Sequence, residues 1–265
     1  MLKKATVFII AFTILAYCLS GCAVTQNVDK TLLEFPGLKW NATPEEVIEA
    51  LNLTDQQITG ERTENAATDS QLAPDRYFMD VQNISFFDNE ITGAKFTFLR
   101  YGKNDFGLTG IEIYYPKNTN MQTVIDKMVT CYGEGNSDSR VRYTIEDGEI
   151  VEYSGSSGAM MINGEIWAPE KDPEYISSFW RSTKRGSEIL SAEEQSKMDD
   201  YYVGLERLQI TRETALEYLD VLPMVQVHAV NRNHVVAGTP MEAERNNLVQ
   251  FDAALLILML QCFDK

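Results

Sequence analysis

Ala94-Lys95-Phe96-Thr97-Phe98, followed after a turn-forming cluster by Ile111-Glu112-Ile113, is the stretch that decides the fold. Large apolar side chains recur at every second position with polar ones between them, which is the period of a strand with one face buried and one in water. The strand pattern runs from Tyr77 to Tyr115, and the clusters Asp88-Asn89-Glu90 and Lys103-Asn104-Asp105 interrupt it where turns belong. Strands joined by short turns pair with their sequence neighbours, so an antiparallel meander is the economical topology.

Helix signals flank this meander. Upstream, Thr43-Pro44-Glu45-Glu46 combines an N-cap threonine, a proline at the first helical position and a glutamate three residues after the cap, a capping box. Val47, Ile48 and Leu51 then form the buried stripe, and Asn52 ends the helix because asparagine tolerates the left-handed conformation. Trp40, just before this helix, is expected to pack onto the meander as a structural aromatic. Downstream, Met121, Val124, Ile125, Met128 and Tyr132 share one helical face, and Gly133 stands at the C′ position. The polar segment from Glu61 to Asp75 reads as a surface loop, and Arg140 to Tyr153 as a hairpin around Asp147-Gly148.

Beyond the hairpin, Ser191-Ala192-Glu193-Glu194 is a second capping box, with Met198, Tyr201, Tyr202 and Leu205 at helical spacing behind it. A further helix pattern begins at Thr211 and ends before Pro223, and Val225, Val227 and Ala229 then alternate with Gln226 and His228 as a half-buried strand. Leu248 to Phe263 is the most apolar segment downstream of the amino terminus, and its composition fits either a helix capped by Asp252 or a central strand. The expected fold class is therefore α+β, short helices on antiparallel meander sheet, with residues 35–170 as one helix-and-meander module. Residues 171–265 read either as a second, tandem module or as an extension of the first.

At the amino terminus, Lys3 and Lys4 precede an uncharged stretch from Ala5 to Cys18, the length of a signal h-region and too short for a membrane span. It runs into Leu19-Ser20-Gly21-Cys22, which resembles the lipobox of bacterial lipoproteins. The resemblance implies cleavage behind Gly21 and a diacylglycerol thioether on Cys22, so that residues 1–21 are a signal peptide and 22–34 a tether to the folded body. Two acyl chains make a stable anchor, which implies a cell-membrane protein facing the extracytoplasmic side. An ordinary signal peptide or signal anchor with a chance cysteine is the alternative. Export would also place Cys131 and Cys262 where they can pair, although both sit in patterns that suit separate buried thiols.

The 265 residues are 44% apolar, enough for a core, and carry a net charge of −16. That field repels phosphate backbones and makes nucleic acid a poor partner. It leaves a basic protein segment or a cation as the better match.

The order of elements resembles the small helix-and-meander modules of bacterial lipoproteins, including the outer-membrane assembly small lipoproteins and the β-lactamase inhibitor protein fold. Gly37-Leu38-Lys39-Trp40 with Thr43 to Val47, and Tyr132-Gly133-Glu134, carry the likeness over about Phe35 to Tyr153. Asn41 stands where that family usually has glycine, and Gly135 where it has proline. The resemblance implies protein binding, or no known activity, and brings no active-site residues.

Catalytic signatures are missing: there is no phosphate loop, no His-Glu-x-x-His, no Cys-x-x-Cys and no nucleophile elbow. Ser156 or Ser157, in Gly155-Ser156-Ser157-Gly158, could in principle be a nucleophile near His228 or His234, but a flexible turn is the much better explanation of the motif. Asp88, Glu90, Thr92 and Gly93 copy half of a calcium loop, whose twelfth position would be Leu99, not a carboxylate. No catalytic, cofactor-binding or metal-binding residue is therefore expected, and Cys22 is the one assigned site, for lipidation. The aromatic pairs Phe86-Phe87, Tyr114-Tyr115 and Tyr201-Tyr202 read as one core residue beside one surface residue, with sugar stacking as the alternative. Two functions follow: a lipid-anchored, non-catalytic binding or assembly module engaging another envelope protein, or an envelope hydrolase without a recognisable motif.

Overall fold

The computed structural model describes residues 28–66, 74–135, 140–146, 149–155, 160–162, 165–167, 176–189, 223–234 and 244–263. The decisive stretch forms two paired strands, β5 (Gly93–Arg100) and β6 (Gly107–Tyr115), in antiparallel register with Phe96 opposite Ile111 and Lys95 opposite Glu112. Before them lie α1 (Pro44–Leu51), β1 (Ile58–Glu64), β2 (Asp75–Val81) and a short hairpin, β3 (Ser85–Phe86) with β4 (Asn89–Glu90). After them come α2 (Met121–Tyr132), the hairpin β7 (Arg140–Glu146) with β8 (Glu149–Gly155), the pair β9 (Met160–Ile162) with β10 (Glu165–Trp167), then β11 (Ile176–Arg181), β12 (Gln226–His234), β13 (Glu244–Asp252) and α3 (Ala254–Phe263).

One antiparallel sheet of seven strands, in the order β1-β2-β5-β6-β13-β12-β11, organises the molecule. It is two meanders laid side by side, because β13 pairs with β12 on one side and with β6 on the other. The class is thus α+β, and the strands of residues 176–252 extend the sheet built by residues 58–115.

Alternation sorts the side chains. Met79, Val81, Phe96, Phe98, Ile111, Ile113, Val249, Phe251, Val227, Ala229 and Trp180 point to one face and are buried. The chain that covers them starts with Leu33 and Phe35, whose ring meets Phe86, Phe87 and Phe251 edge to face at 5.0–5.8 Å. Trp40 is buried against Phe251 and donates its indole N–H to the Leu32 carbonyl at 2.9 Å. Tyr132, at the end of α2, lies 6.4 Å from the Trp180 ring and 6.1 Å from Phe251.

Several local readings hold at residue level. Thr43 and Glu46 form the reciprocal capping box, and Asn52 ends α1 in the left-handed region at φ 51°. Gly133 closes α2 at φ 86°. The ambiguous apolar segment resolves as both of its alternatives. Up to Asp252 it is the strand β13 at the middle of the sheet, and from Ala254 it is α3, whose first N–H bonds the Asp252 carboxylate at 2.9 Å. The Arg140 hairpin has Glu146 opposite Glu149.

Three readings need correction. Glu61 to Glu64 is not loop but the edge strand β1, paired with Arg76 to Met79. The open backbone of β2 recruits a segment whose charged side chains hide its strand character: Arg62 lies 4.5 Å over the Phe78 ring, and Glu61 accepts a hydrogen bond from the Tyr77 hydroxyl. The folded body also starts earlier than Phe35. Leu33 and Glu34 are buried, Thr31 is held by Asp29, and the Thr31 carbonyl accepts from the Thr183 N–H at 3.1 Å. Side-chain-to-backbone bonds hold this segment, so it has no periodicity to read. The turn assigned to Asp88-Asn89-Glu90 is centred one residue earlier, on Phe87 and Asp88, both at positive φ as a tight hairpin turn requires.

Candidate functional site: the open face and free edge of the sheet

The face opposite the core carries a row of directly opposed residues running across six strands: Asp80, Lys95, Glu112, Gln250, His228 and Phe179. Near its middle the Lys95 ammonium meets the Glu112 carboxylate at 2.7 Å, and the Tyr114 hydroxyl donates to the same carboxylate at 2.6 Å. Tyr114 is the large aromatic exposed here, whereas its neighbour Tyr115 is buried and donates to the Phe86 carbonyl. Burial pushes the pKa of the Tyr115 phenol well above its ordinary range. Phe179, Val230 and Leu248, on the β11–β13 side of this face, are buried.

His228 and Ser177 form the one hydroxyl–imidazole pair seen among the described residues. Ser177 Oγ and His228 Nε2 are 2.8 Å apart, bridging β11 and β12 diagonally, and Phe179 stands edge-on to the imidazole at 5.9 Å. That distance suits a nucleophile and its base. A nucleophile elbow, however, raises its serine on a tight strand-to-helix turn beside free N–H groups, and Ser177 sits within β11 opposite Val230. Sequence reasoning missed Ser177 because only the register, with residues two apart on neighbouring strands facing each other, reveals the pair.

The other residues singled out from sequence are placed as follows. Cys22, Ser156, Ser157, Tyr201 and Tyr202 lie outside the described residues, as does the His234 side chain. Of the half calcium loop, Asp88 is taken by Lys127 at 2.6 Å and Thr92 donates to the Tyr114 carbonyl at 2.9 Å. Among the described residues no group of three or more His, Cys, Asp or Glu converges as a metal ion would need. Phe86 and Phe87 both pack against Phe35, so this aromatic pair lies on the core side and not on a sugar platform. Cys131 is a free, half-buried thiol whose pKa is pushed up by burial, which lowers its thiolate fraction. Among the described residues no helix is long and apolar enough to cross a membrane.

The two edges of the sheet differ. Along β11 the chain leaving α2 lies close: the Trp180 indole N–H bonds the Gly133 carbonyl at 2.8 Å, and Gly135 has no room for a Cβ beside Ser178 and Trp180. Along β1, Thr59, Glu61, Arg62, Thr63 and Glu64 are all exposed. Its open side therefore presents the outward N–H and C=O groups of every second residue. Comparison with protein-family models, with curated proteins and with solved structures finds no match for this chain.

Proposed function

We propose that this chain is a bacterial cell-envelope lipoprotein, anchored on the extracytoplasmic side of the membrane through Cys22, that binds another envelope protein and catalyses no reaction. The observation that supports binding is the asymmetry of the sheet: one face is filled by the core, while the other carries the polar residues Asp80, Lys95, Glu112 and Gln250 on its β2–β13 side, and the edge strand β1 is exposed at five of its seven residues. We read residues 171–265 as an extension of the helix-and-meander module, because β13 pairs directly with β6. The anchor is tested by fractionation. Wild type should sediment with membranes and carry the acyl mass, and Cys22→Ser should be unprocessed or released. A Cys22→Ser protein that is processed as before and stays membrane-bound overturns the anchor.

The Ser177–His228 pair favours a second reading, an envelope hydrolase in which His228 takes the Ser177 proton, Ser177 Oγ attacks an ester and expels the alcohol, which leaves with that proton, and water then releases the acyl group as the acid. Hydrolysis of p-nitrophenyl esters by the purified protein separates the two. The binding reading expects no turnover, and a biological role that survives the double change His228→Ala with His234→Ala. Turnover that is lost in a folded Ser177→Ala variant would put the hydrolase first.

A further inference from the structure

We propose that the open edge of β1 receives an extended, basic segment of a partner protein as an additional strand, and that a lysine or arginine opposite Gly60 reaches over it to Asp80. This rests on the binding reading above and adds the place and the chemistry of the partner.

The backbone of β1 pairs on one side with β2 and lies open on the other over seven residues, long enough for several main-chain hydrogen bonds to an added strand. The charges around that edge are lopsided. Glu61 and Glu64 lie on the strand itself, Asp80 lies opposite Gly60 on β2, and Glu45 of α1 stands close enough to act on the Tyr77 hydroxyl that Glu61 holds. The one cation of β1, Arg62, lies 3.1 Å from Glu64 and over the Phe78 ring, and the exposed Arg76 of β2 stands directly opposite Glu64. Lys95, across from Asp80, is drawn instead to Glu112 at 2.7 Å, so Asp80 makes no ion pair among the described residues.

Gly60 makes Asp80 reachable. A Cβ at Gly60 would stand 3.1 Å from Asp80 Oδ2, so the carboxylate leans across the gap where a side chain of β1 would otherwise screen it from the edge. A basic side chain on an added strand, directly opposite Gly60, points along the same face and spans the remaining width. A charged edge protects against unspecific pairing, and here Glu45, Glu61, Glu64 and Asp80 outnumber Arg62 and Arg76, which disfavours acidic strands and favours basic ones.

The position relative to the anchor fits a protein partner. Near the start of the described residues, the Thr31 carbonyl accepts from the Thr183 and Lys184 N–H groups, just past the end of β11. The β1 edge is six strand spacings away, roughly 29 Å at ~4.8 Å each, at the opposite end of the sheet from this docked segment.

The test uses the acylated protein in detergent micelles with three ten-residue peptides: alternating Lys and Val, alternating Glu and Val, and a Lys peptide of equal charge with proline at every second position. The first should bind at least about tenfold more tightly than the others and slow amide exchange in residues 58–64. Asp80→Asn should weaken it by about threefold, the size of one exposed ion pair, and Gly60→Leu by more. Equal binding of the proline peptide would mean charge attraction alone, and protection confined to other strands would mean another surface; either overturns the proposal. Photocrosslinkers in the intact envelope separate the two levels. Capture of a partner from Tyr114 and none from Thr63 removes the edge assignment and leaves the binding function. Capture from neither, with Ser177-dependent ester hydrolysis, removes the binding function itself.

Discussion

Met79, Phe96, Ile111, Phe251, Val227 and Trp180 form one row across β2, β5, β6, β13, β12 and β11, and Asp80, Lys95, Glu112, Gln250, His228 and Phe179 form the row one residue away in every strand. The first row is buried throughout, while five members of the second are polar and belong to the open face. The contrast explains why this sheet has one register. A slip of one residue in any strand exchanges the rows, burying an unpaired charge and exposing an apolar side chain worth about 1.5–3 kcal/mol. Stability and register therefore reside mainly on one face, and on the other only the β11–β13 side, with Phe179, Val230 and Leu248, is buried.

The largest test of that division compares neighbours in β5. Phe96→Ala removes a fully buried ring and should cost about 3–5 kcal/mol, read as a lowered denaturant midpoint. Lys95→Ala, the next residue, breaks a partly exposed pair with Glu112 and should cost less than about 1 kcal/mol. Equal losses would mean that the polar row is structural and not a spare surface.

Trp40→Ala comes next, at about 3 kcal/mol or more, because both its packing on Phe251 and its bond to Leu32 disappear. An unchanged melting transition would show that the segment from Asp29 to Trp40 is not part of the core layer.

Asn247 sharpens the comparison, being a polar residue on the buried face. Its amide N–H₂ holds the carbonyls of Pro116, Lys117 and Thr119, and it is almost fully buried, with Oδ1 unpartnered. Asn247→Ala should cost about 1–3 kcal/mol, the price of stranding those carbonyls. Loss of the bonds should also raise amide exchange at the start of α2.

The smallest effect lies near the open edge. The Ala66 N–H and the Arg100 guanidinium hold the Asp75 carboxyl below its ordinary range. A depressed folded pKa stabilises above the unfolded value of about 3.9 and is lost as pH falls through the folded one. Asp75→Asn should therefore flatten the acid limb of the stability curve below about pH 4 by less than about 1 kcal/mol, and leave the slope near pH 7 unchanged. A change in slope near pH 7 would assign that titration to another group.

Legibility followed the kind of force that holds each element. The capping box at Thr43, the left-handed stop at Asn52, the α2 stripe and the alternation of β5 and β6 rest on neighbours within a few residues, and each could be read directly. β1 escaped because its partner lies beyond a polar connection and its residues have little strand propensity of their own. The turn at Phe87 and Asp88 was displaced by one residue because a phenylalanine in the left-handed region is stabilised by Phe35 and Phe251, which are distant in sequence. The Ser177–His228 pair lies 51 residues apart along the chain and depends on a register that no local pattern specifies.

By itself the sequence determined the α+β class, the period of the central strands, the ends of the first two helices and the acidic balance that disfavours nucleic acid. These depend on local backbone preference, on side-chain period and on summed charge. Tertiary structure alone decided that β13 joins the two meanders through β6, that β1 becomes an open edge, and that Gly60 leaves Asp80 uncovered beside it. Strand pairing and close approach are set by which distant surfaces fit together, and the free energy of that fit belongs to no single segment of chain.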